Sequence, residues 1–131
     1  MADDCHKLKQ LAKAWSPGLD VEQALAPVWA AFSDPARLTA ALAYYRALPG
    51  DLLSADTWKL VLQPTPVPAC VIYGAQDGCI APEMFTDQAH LFAAGVRFQC
   101  IAEAGHFMQL EQPEKFAAVV LDFLHNLPPA R

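Results

Sequence analysis

Two short strand-like runs separated by a proline-opened helical segment limit what this chain can fold into. Ala69–Tyr73 is an uninterrupted apolar run, the pattern of a strand buried on both faces of a parallel sheet. Pro82 then opens a segment expected to be helical to about Ala94, with Gly95 ending it. Phe98–Ala102 reads as the second strand. Pro113 opens a last helix with Phe116, Val119, Val120, Phe123, Leu124 and Leu127 on one face, and Pro128-Pro129 ends it. The order strand–helix–strand–helix implies a parallel pair with a right-handed crossover, hence an α/β fold. Parallel sheets need both faces covered and usually more than two strands, so the chain is expected to be part of something larger.

The first half carries no strand pattern. Val21, Ala24, Leu25, Val28, Trp29 and Phe32 fall on one face of an expected helix that Asp20 can cap. Ser33-Asp34-Pro35 reads as the start of the next helix, with Asp34 as N-cap and Pro35 in the first helical position. Leu38, Ala41, Leu42, Tyr45 and Leu48 make its apolar stripe, and Pro49-Gly50 is expected to stop it. A short third helix is expected around Asp56–Leu62. Gln63-Pro64-Thr65-Pro66-Val67-Pro68 is a connector that divides the chain into a helical segment, 1–63, and an alternating segment, 64–131. Small helices of this kind have little core of their own and must cover something else. Trp29 is expected in the core, while Trp15 and Trp58 brace it or line a pocket.

The net charge of −5 excludes a surface built for nucleic acid or anionic lipid. The longest uncharged stretch, Leu60 to Gln76, contains Pro64, Pro66 and Pro68, which rules out a spanning helix there. The polar start Met-Ala-Asp-Asp-Cys-His-Lys has no signal-peptide character, and a cytoplasmic protein is expected. Cys5, Cys70, Cys79 and Cys100 show no ligand spacing with one another or with His6, His90, His106 or His125. Cys70 and Cys100 read as small buried apolar residues, and Cys79, two residues from Asp77, as the cysteine nearest a pocket. Nothing in the sequence calls for a metal or an organic cofactor.

The residue types that carry chemistry stand where the two strand-like runs end. Asp77 lies just past the first run, where α/β folds place ligand and catalytic groups. His106 follows the second run, after Gly105, which lets the backbone turn tightly. Adjacent parallel strand ends would bring the two side chains together. A carboxylate bonded to one ring nitrogen fixes the tautomer and leaves the other nitrogen free to act as general base.

On these residues the stretch Pro68–Leu124 resembles the C-terminal part of an α/β-hydrolase. Tyr73-Gly74-Ala75-Gln76-Asp77-Gly78-Cys79-Ile80-Ala81-Pro82-Glu83 is similar to that family's acid loop. Ala102-Glu103-Ala104-Gly105-His106-Phe107-Met108-Gln109-Leu110-Glu111-Gln112-Pro113-Glu114 is similar to its histidine loop and the start of its final helix. The resemblance implies Asp77 as triad acid, His106 as triad base, and the helical first half as a cap inserted between the halves of the sheet. Ala43-Tyr44-Tyr45-Arg46-Ala47 is similar to a cap segment of epoxide hydrolases and some dehalogenases. In those epoxide hydrolases the tyrosine before the arginine donates a hydrogen bond to the epoxide oxygen, which implies that role for Tyr45. The candidate substrate contacts are Tyr45 and Phe107.

The family order is nucleophile, acid, histidine, with the nucleophile on a Gly-x-Ser-x-Gly or Gly-x-Asp-x-Gly turn. Ser16, Ser33 and Ser54 have no such flanks, and Ser33 reads as a helix-start residue. The expectation is therefore a cap plus the C-terminal half of a hydrolase for a small apolar ester, epoxide or haloalkane, inactive by itself for want of a nucleophile. Two alternatives stand beside it. One is a half-enzyme completed by a second chain, or a second copy, at the exposed strand edge. The other is a non-catalytic module that binds a small apolar ligand.

Overall fold

The computed structural model describes residues 2–52 and 54–127. Its order is α1 (Ala2–Trp15), α2 (Val21–Ala24), α3 (Ala26–Phe32), α4 (Pro35–Leu52), α5 (Ala55–Val61), β1 (Ala69–Gly74), β2 (Val96–Ile101), α6 (Met108–Glu111) and α7 (Pro113–His125). β1 and β2 form a two-stranded parallel sheet in register from Ala69 opposite Val96 to Gly74 opposite Ile101. The fold is thus mixed α/β, with helices first and strand–helix alternation after. Among the described residues no helix is long and apolar enough to cross a membrane.

Several local expectations are corrected. The helix expected over 21–32 is two helices. Leu25 leaves helical geometry at φ −105°, ψ 16°, and Pro27 lies in the first turn of α3. A proline there lacks the N–H that would continue α2 and suits a fresh start. Asp20 does cap α2, its carboxylate accepting from Gln23 N at 3.3 Å. Ser33 ends α3 rather than beginning α4, donating to Ala30 O at 2.7 Å. Asp34 accepts from Ala36 N at 2.9 Å, just ahead of Pro35.

Helix α4 runs through Pro49 to Leu52. Proline forfeits one intrahelical bond, but residues 41–50 are all exposed, so water can take the freed carbonyl. The helix expected over Pro82–Ala94 is two 3₁₀ turns, Pro82–Phe85 and Gln88–Leu91. Between them Thr86 is extended and Asp87 is left-handed, at φ 59°, which no continuous helix accommodates. Gly95 adopts φ +92° directly before β2, a turn that glycine makes at no steric cost. The Pro128-Pro129 stop lies outside the described residues.

The buried apolar core is small: Ala12, Leu19, Val21 and Leu25 form one cluster, with Ala24, Trp29 and Phe107 packed on it, and Ile101 and Ala104 are buried at and just past the end of β2. Trp29 is half-buried there and donates from Nε1 to Val21 O at 2.9 Å. The strands are not buried on both faces as expected; only Gly74 and Ile101 are fully covered. Cys70 is half-buried and Cys100 exposed, because both strands are edges of a two-stranded sheet, with α7 packed on β2.

Candidate functional site

The two strand ends lie side by side, and each loop leaves its strand there. Ala75 N donates to Ile101 O at 3.0 Å and Gln76 N to Ala104 O at 2.9 Å, so the acid loop is zipped onto the histidine loop. A Cβ at Gly74 would stand 2.2 Å from Gly105 O, and one at Gly105 would stand 2.7 Å from Trp15 O. Only glycine permits that packing.

Within this frame His106 Nδ1 and Asp77 Oδ2 are 3.0 Å apart. The Asp77 side chain is 4% exposed and that of His106 29%. Asp77 Oδ1 accepts from Cys79 N at 2.7 Å and from Ile80 N at 3.0 Å, a turn closed by the side chain itself. Burial pushes the Asp77 carboxyl up. The Ile80 and Cys79 amides and the His106 ring pull it down further, and the net position is below the ordinary 3.8. An ionised carboxylate only accepts, so His106 Nδ1 is the donor, and in the neutral ring Nε2 keeps its lone pair. That is the arrangement of a general base held in one tautomer.

The end of α1 holds both loops. Trp15 O accepts from His106 N at 3.0 Å and from Gly78 N at 3.1 Å. The Trp15 ring meets the His106 ring edge-on, centroids 5.1 Å apart, which limits how far the imidazole can tilt. Ser16 is 0% exposed, and its Oγ accepts from Phe107 N at 2.9 Å. Glu111 accepts from Gly105 N at 2.7 Å on the other side of the turn. Ser16 is the positioning residue that the sequence reading missed. No motif marks it, since its partner lies 91 residues away.

Beside the pair is a cavity of about 550 Å³ lined by apolar and aromatic side chains. Leu11 and Trp15 of α1, Val28 of α3, and Leu42 and Tyr45 of α4 contribute, with Phe107 from the histidine loop. Tyr45 and Phe107 both line this cavity. Tyr45 is also 64% exposed and stacks edge-on with Tyr44, centroids 5.6 Å apart, so it forms the rim. Trp58 is exposed on α5 and does not line the cavity.

The acid loop also brings in Cys79. A carboxylate oxygen of Asp77, Cys79 Sγ and a ring nitrogen of His106 all lie within 4.8 Å of one another. Burial and the Asp77 charge both push the Cys79 thiol up, so it is protonated at neutral pH and a poor nucleophile as it stands. Comparison of the chain with protein-family models, with curated proteins and with solved structures finds no match to any of them.

Proposed function

We propose that this chain carries the acid–base half and the cap of an α/β-hydrolase-type site. Asp77 orients His106, His106 Nε2 accepts the proton of a nucleophile or water, and the apolar cavity takes a small apolar ester, epoxide or haloalkane. The observation that carries the reading is the 3.0 Å Asp77–His106 contact between adjacent parallel strand ends, tied to the cavity through Trp15 and Phe107. The nucleophile is supplied from outside the described residues, on a strand added to the open edge of the sheet.

The test begins with the DNA upstream of the Met1 codon. An in-frame strand followed by Gly-x-Ser-x-Gly or Gly-x-Asp-x-Gly is expected. The joined protein should then hydrolyse a p-nitrophenyl ester or open an aryl epoxide, and His106→Ala should lower kcat by about 10³-fold or more. An upstream sequence with no such turn, or a joined enzyme indifferent to His106→Ala, would sink the reading. A rate from the 131-residue chain alone that is lost in His106→Ala would instead show the nucleophile to be internal.

A second reading is favoured by the cavity itself, whose lining includes neither Asp77 nor His106. In it the chain is a carrier of a small apolar ligand. Thermal stabilisation by such a ligand, unchanged in Asp77→Asn and His106→Ala, would favour it over the hydrolase reading.

A further inference from the structure

The residues gathered at the strand ends have a use that needs no nucleophile. We propose that Asp77, Cys79 and His106 form a site for one divalent cation of the zinc class. The three donors are a carboxylate oxygen, a thiol sulfur and an imidazole nitrogen, all within 4.8 Å of one another. This mixed set suits Zn²⁺, whereas Mg²⁺ and Ca²⁺ select oxygen alone. Bond lengths of about 2.0–2.3 Å place the donors of a tetrahedral zinc site roughly 3.3–3.6 Å apart. The Asp77–His106 pair, at 3.0 Å, is already near that separation. The remaining closure falls on the exposed Cys79 side chain, while the Cys79 and Ile80 amides hold the Asp77 carboxylate in place.

Charge supports the same cation. A thiolate, a carboxylate and a neutral imidazole carry two negative charges, which a divalent ion cancels, so the almost fully covered Asp77 side chain is left in a neutral cluster. Three dative bonds form. Two protons move: that of the Cys79 thiol passes to solvent, because a metal-bound thiol is deprotonated outright, and that of His106 Nδ1 shifts through solvent to Nε2, which frees the Nδ1 lone pair for the ion. Three protein donors leave a fourth position for water on the exposed Cys79 side, the pattern of an open rather than a closed zinc site. A neutral imidazole has one lone pair to give. Zinc on His106 therefore displaces its general-base role, and the metal site stands whether or not the hydrolase reading holds.

The test uses the purified full chain with its thiols reduced, titrated with Co²⁺ as a spectroscopic probe and with Zn²⁺ by competition against a chromophoric chelator. One ion per chain is expected, with thiolate-to-cobalt absorption in the near ultraviolet. Cys79→Ser should abolish that absorption, and both Cys79→Ser and His106→Ala should weaken Zn²⁺ binding at least about tenfold, while Cys100→Ser changes neither. Because His106 also packs on Trp15, alkylation of Cys79 by iodoacetamide in the unaltered chain gives a second readout, and stoichiometric Zn²⁺ should slow it at least about tenfold. The proposal is overturned by undetectable binding, by Zn²⁺ affinity unchanged in Cys79→Ser, or by alkylation that proceeds equally fast with the metal.

Discussion

Asp77 links stability to pH in a defined direction. Its folded carboxyl sits below the ordinary 3.8, so ionisation stabilises the fold fully above that value, and the contribution is lost as pH falls through the lower folded value. His106 and Cys79 are the titratable groups facing it. Acid titration followed by circular dichroism should show unfolding in that window, and Asp77→Asn should be less stable at neutral pH and flatter below pH 4. Ser16→Ala removes the acceptor for Phe107 N in a fully covered setting and should cost about 1–3 kcal/mol in denaturant unfolding. An unchanged midpoint would mean that water replaces the hydroxyl. The Asp77–His106 pairing was legible from sequence because strand, glycine and acid sit at regular spacing. Ser16 was not, because what selects it is a contact between ends of the chain with no local signature.

At the level of elements, the sequence located α4, α5 and α7, missed α1, joined α2 to α3, and expected a helix where two 3₁₀ turns stand. Asp34-Pro35 and Pro113 open helices as expected, since capping and a fixed φ act locally. Pro27, Pro49 and Asp87 went astray because each depends on context: a fresh start after Leu25, solvent around α4, and a left-handed residue between two 3₁₀ turns. The glycines divide in the same way. Gly50 lies within α4 with nothing near its missing side chain, so Gly50→Ala should raise stability by about 0.5–1 kcal/mol. Gly74→Ala drives a methyl group into the backbone of the histidine loop and should cost about 1–3 kcal/mol or more. Thermal unfolding of the two variants side by side checks both signs.

The whole molecule is open. It exposes 9262 Å², whereas a compact monomer of 14.3 kDa exposes about 6,800 Å². The difference is comparable to what a large obligate interface covers. Leu60, Val61 and Leu62 on and after α5, Leu121 and Leu124 on α7, and the edges of β1 and β2 are where that surface lies. Light scattering should find concentration-dependent association, and a dye that reports apolar surface should bind the purified chain. A monomer that unfolds in one cooperative step without binding the dye would contradict this. The carbonyl of Trp15 sets the terms on which such a loosely covered protein keeps its geometry. One oxygen at the end of one helix receives the amide protons of Gly78 and His106. Those two protons should therefore exchange with deuterated solvent in step, each time the end of α1 lifts, and acid and imidazole lose their alignment in that same event.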